Sequence, residues 1–208
     1  MDGLGLSHGV IRRIGLTGGI GSGKSSVARV LVDCGALLVD TDAIARALTL
    51  PGGAAIPAIA ETFGAAMITA AGALDRDRMR EQVFADPGAK ARLEGILHPM
   101  IGAEATRQAE AAGDRIVVFD VPLLAESGRW RQRVDRILVV DCREDTQCRR
   151  VMARSGWTEA AVRAVIAQQA RRDIRRALAD AVIYNDGITP ESLAAEARSL
   201  WALWAPAA

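Results

Sequence analysis

The stretch Leu16-Thr17-Gly18-Gly19-Ile20-Gly21-Ser22-Gly23-Lys24-Ser25-Ser26 constrains this chain more than any other. It fits G-x-x-x-x-G-K-[ST], a loop that wraps phosphate groups in backbone N–H. Such wrapping needs a backbone that can come close to an anion and bend into left-handed conformations. Glycine at four of the six positions from Gly18 to Gly23 allows both. The apolar run ending Ile14-Gly15-Leu16 reads as a buried strand. Ser25-Ser26-Val27-Ala28-Arg29-Val30-Leu31 reads as a helix whose N-terminal partial charge faces the phosphate. In this pattern Lys24 reaches the β- and γ-phosphates and the Ser25 hydroxyl ligates Mg²⁺. The alternative is a glycine-rich turn that contains Lys-Ser by accident. Of the 26 lysines and arginines only Lys24 and Lys90 are lysine, so a cation placed without regard to type would seldom be lysine here.

The segment Ala36-Leu37-Leu38-Val39-Asp40 reads as a second buried strand after Gly35 ends the helix. Strand, loop, helix and strand then make a βαβ unit and predict a parallel sheet. Asp40 and Asp42 fall at the carboxyl edge of that strand, where open α/β sheets bind ligands. Two readings stay open: a catalytic or Mg²⁺-linked carboxylate, or a helix N-cap from Thr41 or Asp42. Residues from about Pro51 to Gly113 break the βαβ rhythm with helical patterning, including a helix capped near Asp75. A long stretch carries Leu93, Leu97, Ile101 and Ala105 on one face. Pro99 is expected to kink or restart that helix. His98 beside it is either a core or capping histidine or part of an acceptor site.

Arg115-Ile116-Val117-Val118-Phe119-Asp120 is the clearest strand, and its terminal acid fits a Mg²⁺-organising carboxylate as well as a helix cap. Val134–Asp141 and Ala181–Tyr184 read as the fourth and fifth strands. Between them Arg149, Arg150, Arg154, Arg163, Arg171, Arg172, Arg175 and Arg176 crowd helices broken at Ser155-Gly156. They form either a cationic lid over a triphosphate or a solvated face. Thr189-Pro190 opens a closing helix whose Leu193, Ala197, Leu200, Trp201 and Trp204 form a packing stripe.

Composition mostly excludes. Net charge is +1 with 50% hydrophobic and 25% charged residues, which gives no basic field for coating nucleic acid. No apolar run has the length of a membrane span, and residues 1–9 read as a loose glycine-rich tail rather than a secretory signal. Cys34, Cys142 and Cys148 lack metal-site spacing and are expected as reduced thiols in a cytoplasmic protein.

Taken together the motifs resemble the dephospho-CoA kinase family from about Ile14 to Leu200. The resemblance rests on the loop from Leu16 to Ser25 and on Val39-Asp40-Thr41-Asp42-Ala43-Ile44-Ala45-Arg46. Leu97-His98-Pro99, Val121-Pro122-Leu123-Leu124 with Glu126, and Asn185-Asp186-Gly187 complete it. Departures are small: Ser26 replaces a common threonine, and Ala125 stands where an aromatic is frequent. The resemblance implies an α/β fold of P-loop NTPase type, with a five-stranded parallel sheet flanked by helices, a helical substrate insertion and a helical lid. The expected division is a nucleotide core of residues 1–45, 114–150 and 178–208, an acceptor domain of 46–113 and a lid of 151–177. It further implies transfer of the ATP γ-phosphoryl to the ribose 3′-hydroxyl of dephospho-CoA, with Mg²⁺ present. Asp42 is the expected base, acting with Lys24 and Arg150. Gly19, Gly21, Ser22, Gly23, Lys24, Ser25, Ser26, Arg150 and Asn185 are expected on ATP, and Ser25, Asp40 and Asp120 around the metal. The expected acceptor set is Asp42, Arg46, Arg80, His98, Pro122 and Leu123. No nucleic-acid or membrane partner is expected, and a monomer or weak oligomer is. Without the resemblance, a nucleoside-monophosphate kinase fits the loop equally. A guanine-dependent regulator lacks its Asn-Lys-x-Asp stretch, since the one asparagine is Asn185. A module that merely holds ATP has no need of the strand-end acids.

Overall fold

The computed structural model describes residues 11–205, so the expectation for residues 1–9 lies outside the described residues. Five short apolar segments form one parallel sheet: β1 (Arg13–Gly18), β2 (Leu37–Asp40), β3 (Val117–Asp120), β4 (Arg136–Asp141) and β5 (Ala181–Tyr184). Their order is β2-β3-β1-β4-β5. Leu16 sits between Asp120 on one side and Leu138 on the other, so the central strand is β1. Every residue of β3 is buried, as are the last five of β1 and of β4. Such unbroken apolar runs belong to strands covered on both faces.

The sheet belongs to a compact unit formed by residues 11–39 and 112–205. Helix α1 (Lys24–Asp33) buries Val27, Ala28 and Leu31 against Ile14, Leu16, Val118 and Leu138. The closing helix, α10 (Pro190–Trp204), adds Leu193 and Ala197, with Leu200, Trp201 and Trp204 packed around them. Each fully buried Leu, Ile or Val contributes about 1.5–3 kcal/mol relative to exposure. The Thr189 side chain accepts from Ser192 N–H at 3.2 Å, and Pro190 begins the helix where no N–H is needed. The tryptophans therefore pack, as their spacing predicts.

Helices α7 (Glu144–Ser155), α8 (Glu159–Gln168) and α9 (Arg172–Ala177) lie between β4 and β5 in the chain and fall in this same unit. Gly156 ends α7 in a left-handed conformation, at the break the sequence predicts. The N-cap position of α7 is Arg143, whose side chain makes no capping bond. Asp186, from the turn after β5, does the capping instead. It accepts from Arg143 N–H at 2.8 Å and from Thr146 Oγ1 at 3.0 Å, and it pairs with the Arg143 guanidinium. A carboxylate at a helix N-terminus also meets the favourable end of the helix dipole. Those bonds, the Arg143 guanidinium first, hold the Asp186 carboxyl far below the usual carboxylate range.

Residues Asp40–Ala111 form a second compact unit. It contains α2 (Thr41–Leu48), α3 (Ile56–Phe63), a short 3-10 turn at Ala65–Met67, α4 (Arg76–Ala85) and α5 (Ala89–Glu110). Ala55, Ile59 and Met79 form its buried centre, with Phe63, Leu93 and Leu97 packed around them. Asp75 caps α4 by accepting from Arg78 N–H at 3.0 Å, as the sequence predicts. Two expectations are corrected. The cap of α2 is neither Thr41 nor Asp42: Asp40, extended at φ −88°, accepts from Ala43 N–H at 2.8 Å, which is the N3 amide an N-cap serves. Pro99 does not restart the helix, and α5 runs through it unbroken. The carbonyl that a proline at 99 leaves unpaired belongs to Gly95, where the lack of a side chain gives the backbone room to tilt.

Asp186→Asn should lower Tm at neutral pH while leaving the fold intact. Because the folded carboxyl titrates below its unfolded value, its stabilisation is present above about pH 4 and fades as pH falls below that. The gap between the thermal melts of the two proteins, recorded across pH 2–7, should therefore hold steady above about pH 4 and narrow below it. A constant gap across the range contradicts this capping role.

Candidate active site

The loop from Gly18 to Gly23 leaves the carboxyl end of β1, and its carbonyl groups are fastened from outside. Asn185 Nδ2 donates to Ser22 O at 2.7 Å. Arg150 Nη1 donates to Gly21 O and Ser22 O, both at 3.4 Å, while its Nη2 reaches Asn185 Oδ1 at 3.3 Å. Within one peptide C=O and N–H point in opposite directions, so tying Ser22 O outward turns the Gly23 amide to the other face. The amides of Gly21, Gly23, Lys24 and Ser25 have no hydrogen-bond partner among the described residues. Ser22 N–H closes the turn onto Gly19 O at 3.0 Å, and Ile20 N–H donates to Gln169 Oε1 at 3.0 Å. Gly23 is the N-cap of α1 at φ +97°, a conformation that L side chains resist, and a Cβ there would collide with Asn185 Nδ2. The cradle thus combines unpaired amides with the positive end of a helix.

Lys24, the first residue of α1, sends its ammonium to Asp120 Oδ1 at the tip of β3, and both side chains are mostly shielded from solvent. The open alternative of Asp120 as a mere helix cap loses ground: the helix after it, α6 (Leu124–Ser127), has Leu123 at its N-cap. Ser25 is exposed at the start of α1. A serine hydroxyl and a carboxylate are hard oxygen donors of the kind Mg²⁺ takes, with phosphate oxygens and water completing its shell. Among the described residues no three His, Cys, Asp or Glu side chains gather to hold a metal by themselves. Ser26 is exposed and turns its N–H to Gly23 O at 3.0 Å. Pro122 O accepts from Thr17 Oγ1 at 3.1 Å, and Leu123 is exposed.

The arginine-rich stretch is not an open cationic field. Arg172 forks onto the buried Asp141 at 2.9 and 2.7 Å, which drives its guanidinium pKa upward. Arg163 pairs with Glu159 and Asp145, and Arg171 with Asp173. Carboxylates on β4, α7, α8 and α9 thus neutralise three of the eight arginines, a pattern that counting arginines overlooks.

Within the second unit lies a cavity of about 580 Å³. Arg46, Arg76, Arg80, Lys90, Asp42 and Thr49 line it with Leu74, Met79, Val83, Leu93 and Leu97. Arg76 donates to Thr49 Oγ1 at 3.0 Å, Arg80 pairs with Asp77 at 3.1 Å, and Arg46 leans on Asp40 at 3.8 Å. Asp42 is exposed in the first turn of α2. His98 is absent from the cavity lining, and its Nδ1 is buried without a partner. Arg76, Lys90 and Thr49 carry no motif in the sequence. They are brought together by helix packing alone.

Among the described residues no helix is long and apolar enough to cross a membrane. The sequence model of the dephospho-CoA kinase family (CoaE) matches residues 12–191. A dephospho-CoA kinase of Bordetella parapertussis is 56% identical over 193 residues, covering 92% of this chain and 90% of that one. Of solved structures, TT1252 from Thermus thermophilus superposes with TM-score 0.81 at 30% identity, over 93% of this chain and 98% of that one. A dephospho-CoA kinase from Campylobacter jejuni superposes with TM-score 0.68 at 23% identity, over 91% and 94%, a likeness of fold. With the family model spanning most of its length, the chain belongs to the dephospho-CoA kinase family.

Proposed function

We propose that the chain transfers the γ-phosphoryl group of ATP to the 3′-hydroxyl of the ribose of dephospho-CoA, yielding coenzyme A and ADP. The observation that carries this reading is a glycine loop whose carbonyls are fastened outward and whose amides stand unpaired at a helix N-terminus. Phosphoryl transfer passes through a loose transition state in most analyses, so the protein mainly positions groups and offsets charge. The loop amides hold the phosphates, and Lys24 exchanges part of its contact with Asp120 for the β- and γ-oxygens. Ser25 and Asp120 would hold Mg²⁺, which would supply charge neutralisation of the phosphate oxygens. Asp40, engaged as the cap of α2, is left to an outer role through water. Arg150, on the carbonyl side of the loop with Asn185, keeps the cradle in shape and borders the nucleotide.

For the acceptor, the second unit's cavity fits a molecule with both phosphate and apolar parts. Arg46, Arg76, Arg80 and Lys90 offer positive charge, while Leu74, Met79, Val83, Leu93 and Leu97 offer an apolar wall. Of the two carboxylates that line that cavity, Glu94 leans on Lys90 at 3.8 Å while Asp42 is exposed in the first turn of α2, and Asp42 takes the proton of the ribose hydroxyl as the new P–O bond forms. His98, with its Nδ1 buried and its side chain off the cavity lining, serves the acceptor only through the residues beside it. Pro122 and Leu123 follow β3, and the exposed Leu123 side chain is the one available to an apolar part of the substrate.

An ADP-release assay should show turnover with dephospho-CoA well above that with AMP or with no acceptor. Comparable rates with AMP would make the chain a nucleoside-monophosphate kinase. Asp42→Asn should reduce kcat by about 10²-fold or more, the range of general-base catalysis, with KM for ATP nearly unchanged. Full activity, or equal losses in both parameters, removes Asp42 from the proton transfer.

A further inference from the structure

Among the described residues Arg175, on α9, is the one lysine or arginine that is buried, at 3% exposure. Its position is unusual for a charge. Moving a cation out of water is costly unless a carboxylate compensates it. The acids that surround Arg175 are Asp141, Glu126 and Glu144, with Arg172 the neighbouring cation. Both oxygens of Asp141 are taken by Arg172. Glu126 Oε1 accepts from Ala170 N–H at 2.6 Å. Arg175 Nη1 is left with the carbonyl of Ala170, and its Nε is buried with no partner at all. Burial accordingly pushes its pKa down from the ordinary arginine value.

The guanidinium lies directly behind the phosphate loop. A Cβ on Gly19 would stand 2.9 Å from Arg175 Nη2 and 2.8 Å from Gln147 Nε2. Only a glycine at 19 allows the cation so close to the loop backbone. The neighbouring side chains hold this arrangement still. Gln147, wholly buried, donates to Cys142 O at 3.3 Å, and Gln169 Oε1 takes the Ile20 N–H at 3.0 Å.

We infer that Arg175 is a fixed positive charge held behind the phosphate loop, bonded to no carboxylate, which strengthens the grip on the donor's β- and γ-phosphates through the loop rather than by touching them. A cation in a water-poor setting acts over several ångströms with far less screening than one at the surface. The desolvation it suffers in the free protein is offset when the phosphates bring their negative charge. Arg175 is thus a positioning residue, and this inference rests on ATP being the donor.

The test compares the intact chain with Arg175→Gln and Arg175→Lys, titrating adenosine, ADP and ATP with Mg²⁺ by calorimetry and recording melts without ligand. Arg175→Gln should bind ATP about tenfold or more weakly, a modest share of what a nearby unscreened charge contributes. The loss should be smaller for ADP and absent for adenosine. Arg175→Lys should recover most of the ATP affinity. Without ligand the glutamine variant should melt no lower than the parent, because a desolvated charge bonded to no carboxylate has been removed. Arg175→Met, which keeps the apolar stem, takes its place if the glutamine variant does not fold. Unchanged ATP affinity overturns the inference, as does an equal loss for adenosine or a lysine variant no better than the glutamine one. If the unaltered chain binds no ATP, the donor reading fails instead.

Discussion

A backbone loop binds an anion only if its amides are denied to its own chain, and here that denial is enforced from outside. Asn185, from the turn after β5, and Arg150, from α7, take the carbonyls of Gly21 and Ser22. Asp186, the residue next to Asn185, pins the start of α7. One short turn therefore holds both the loop and the helix that buttresses it. The arrangement needs the parallel sheet beneath: β1 and β5 reach the same edge because both pair in register with β4. Stability and function share these residues, and the loop leaves β1, one of the three strands, with β3 and β4, that are buried almost throughout.

Much of this was legible in the sequence. The glycine loop announces itself through G-x-x-x-x-G-K-S, and the strands through apolar runs too continuous to face water. Asp75 and Thr189-Pro190 were readable as helix starts because a cap acts on amides within three residues of itself. The cap of α2 lies one or two positions before the Thr41 or Asp42 that the sequence suggests: several acceptors sit together in Asp40-Thr41-Asp42, and backbone dihedrals decide which one bends inward.

What the sequence hides depends on contacts between distant residues. Asp186 caps a helix that begins more than forty positions earlier, and Arg172 neutralises Asp141 at the end of another strand. Eight arginines in one stretch look alike as letters, yet three pair with acids and one is buried against Gly19. Gln147 and Gln169 have no motif, and their roles follow from where α7 and the end of α8 pass the loop. The cations of the second unit's cavity are similarly scattered over α2, α4 and α5. Periodicity finds the helices but not which polar residues their packing gathers.

The central claim is that the nucleotide is gripped by loop amides whose direction depends on the left-handed backbone at Gly23 and the carbonyl clamp from Asn185. The most direct measurement is calorimetric binding of Mg²⁺·ADP to Gly23→Ala, with circular dichroism to establish that the fold survives. A side chain there strains a φ of +97° and displaces Asn185, so affinity should fall by about two orders of magnitude or more while the helical signal is kept. A folded Gly23→Ala protein that binds Mg²⁺·ADP as tightly as the parent contradicts the account.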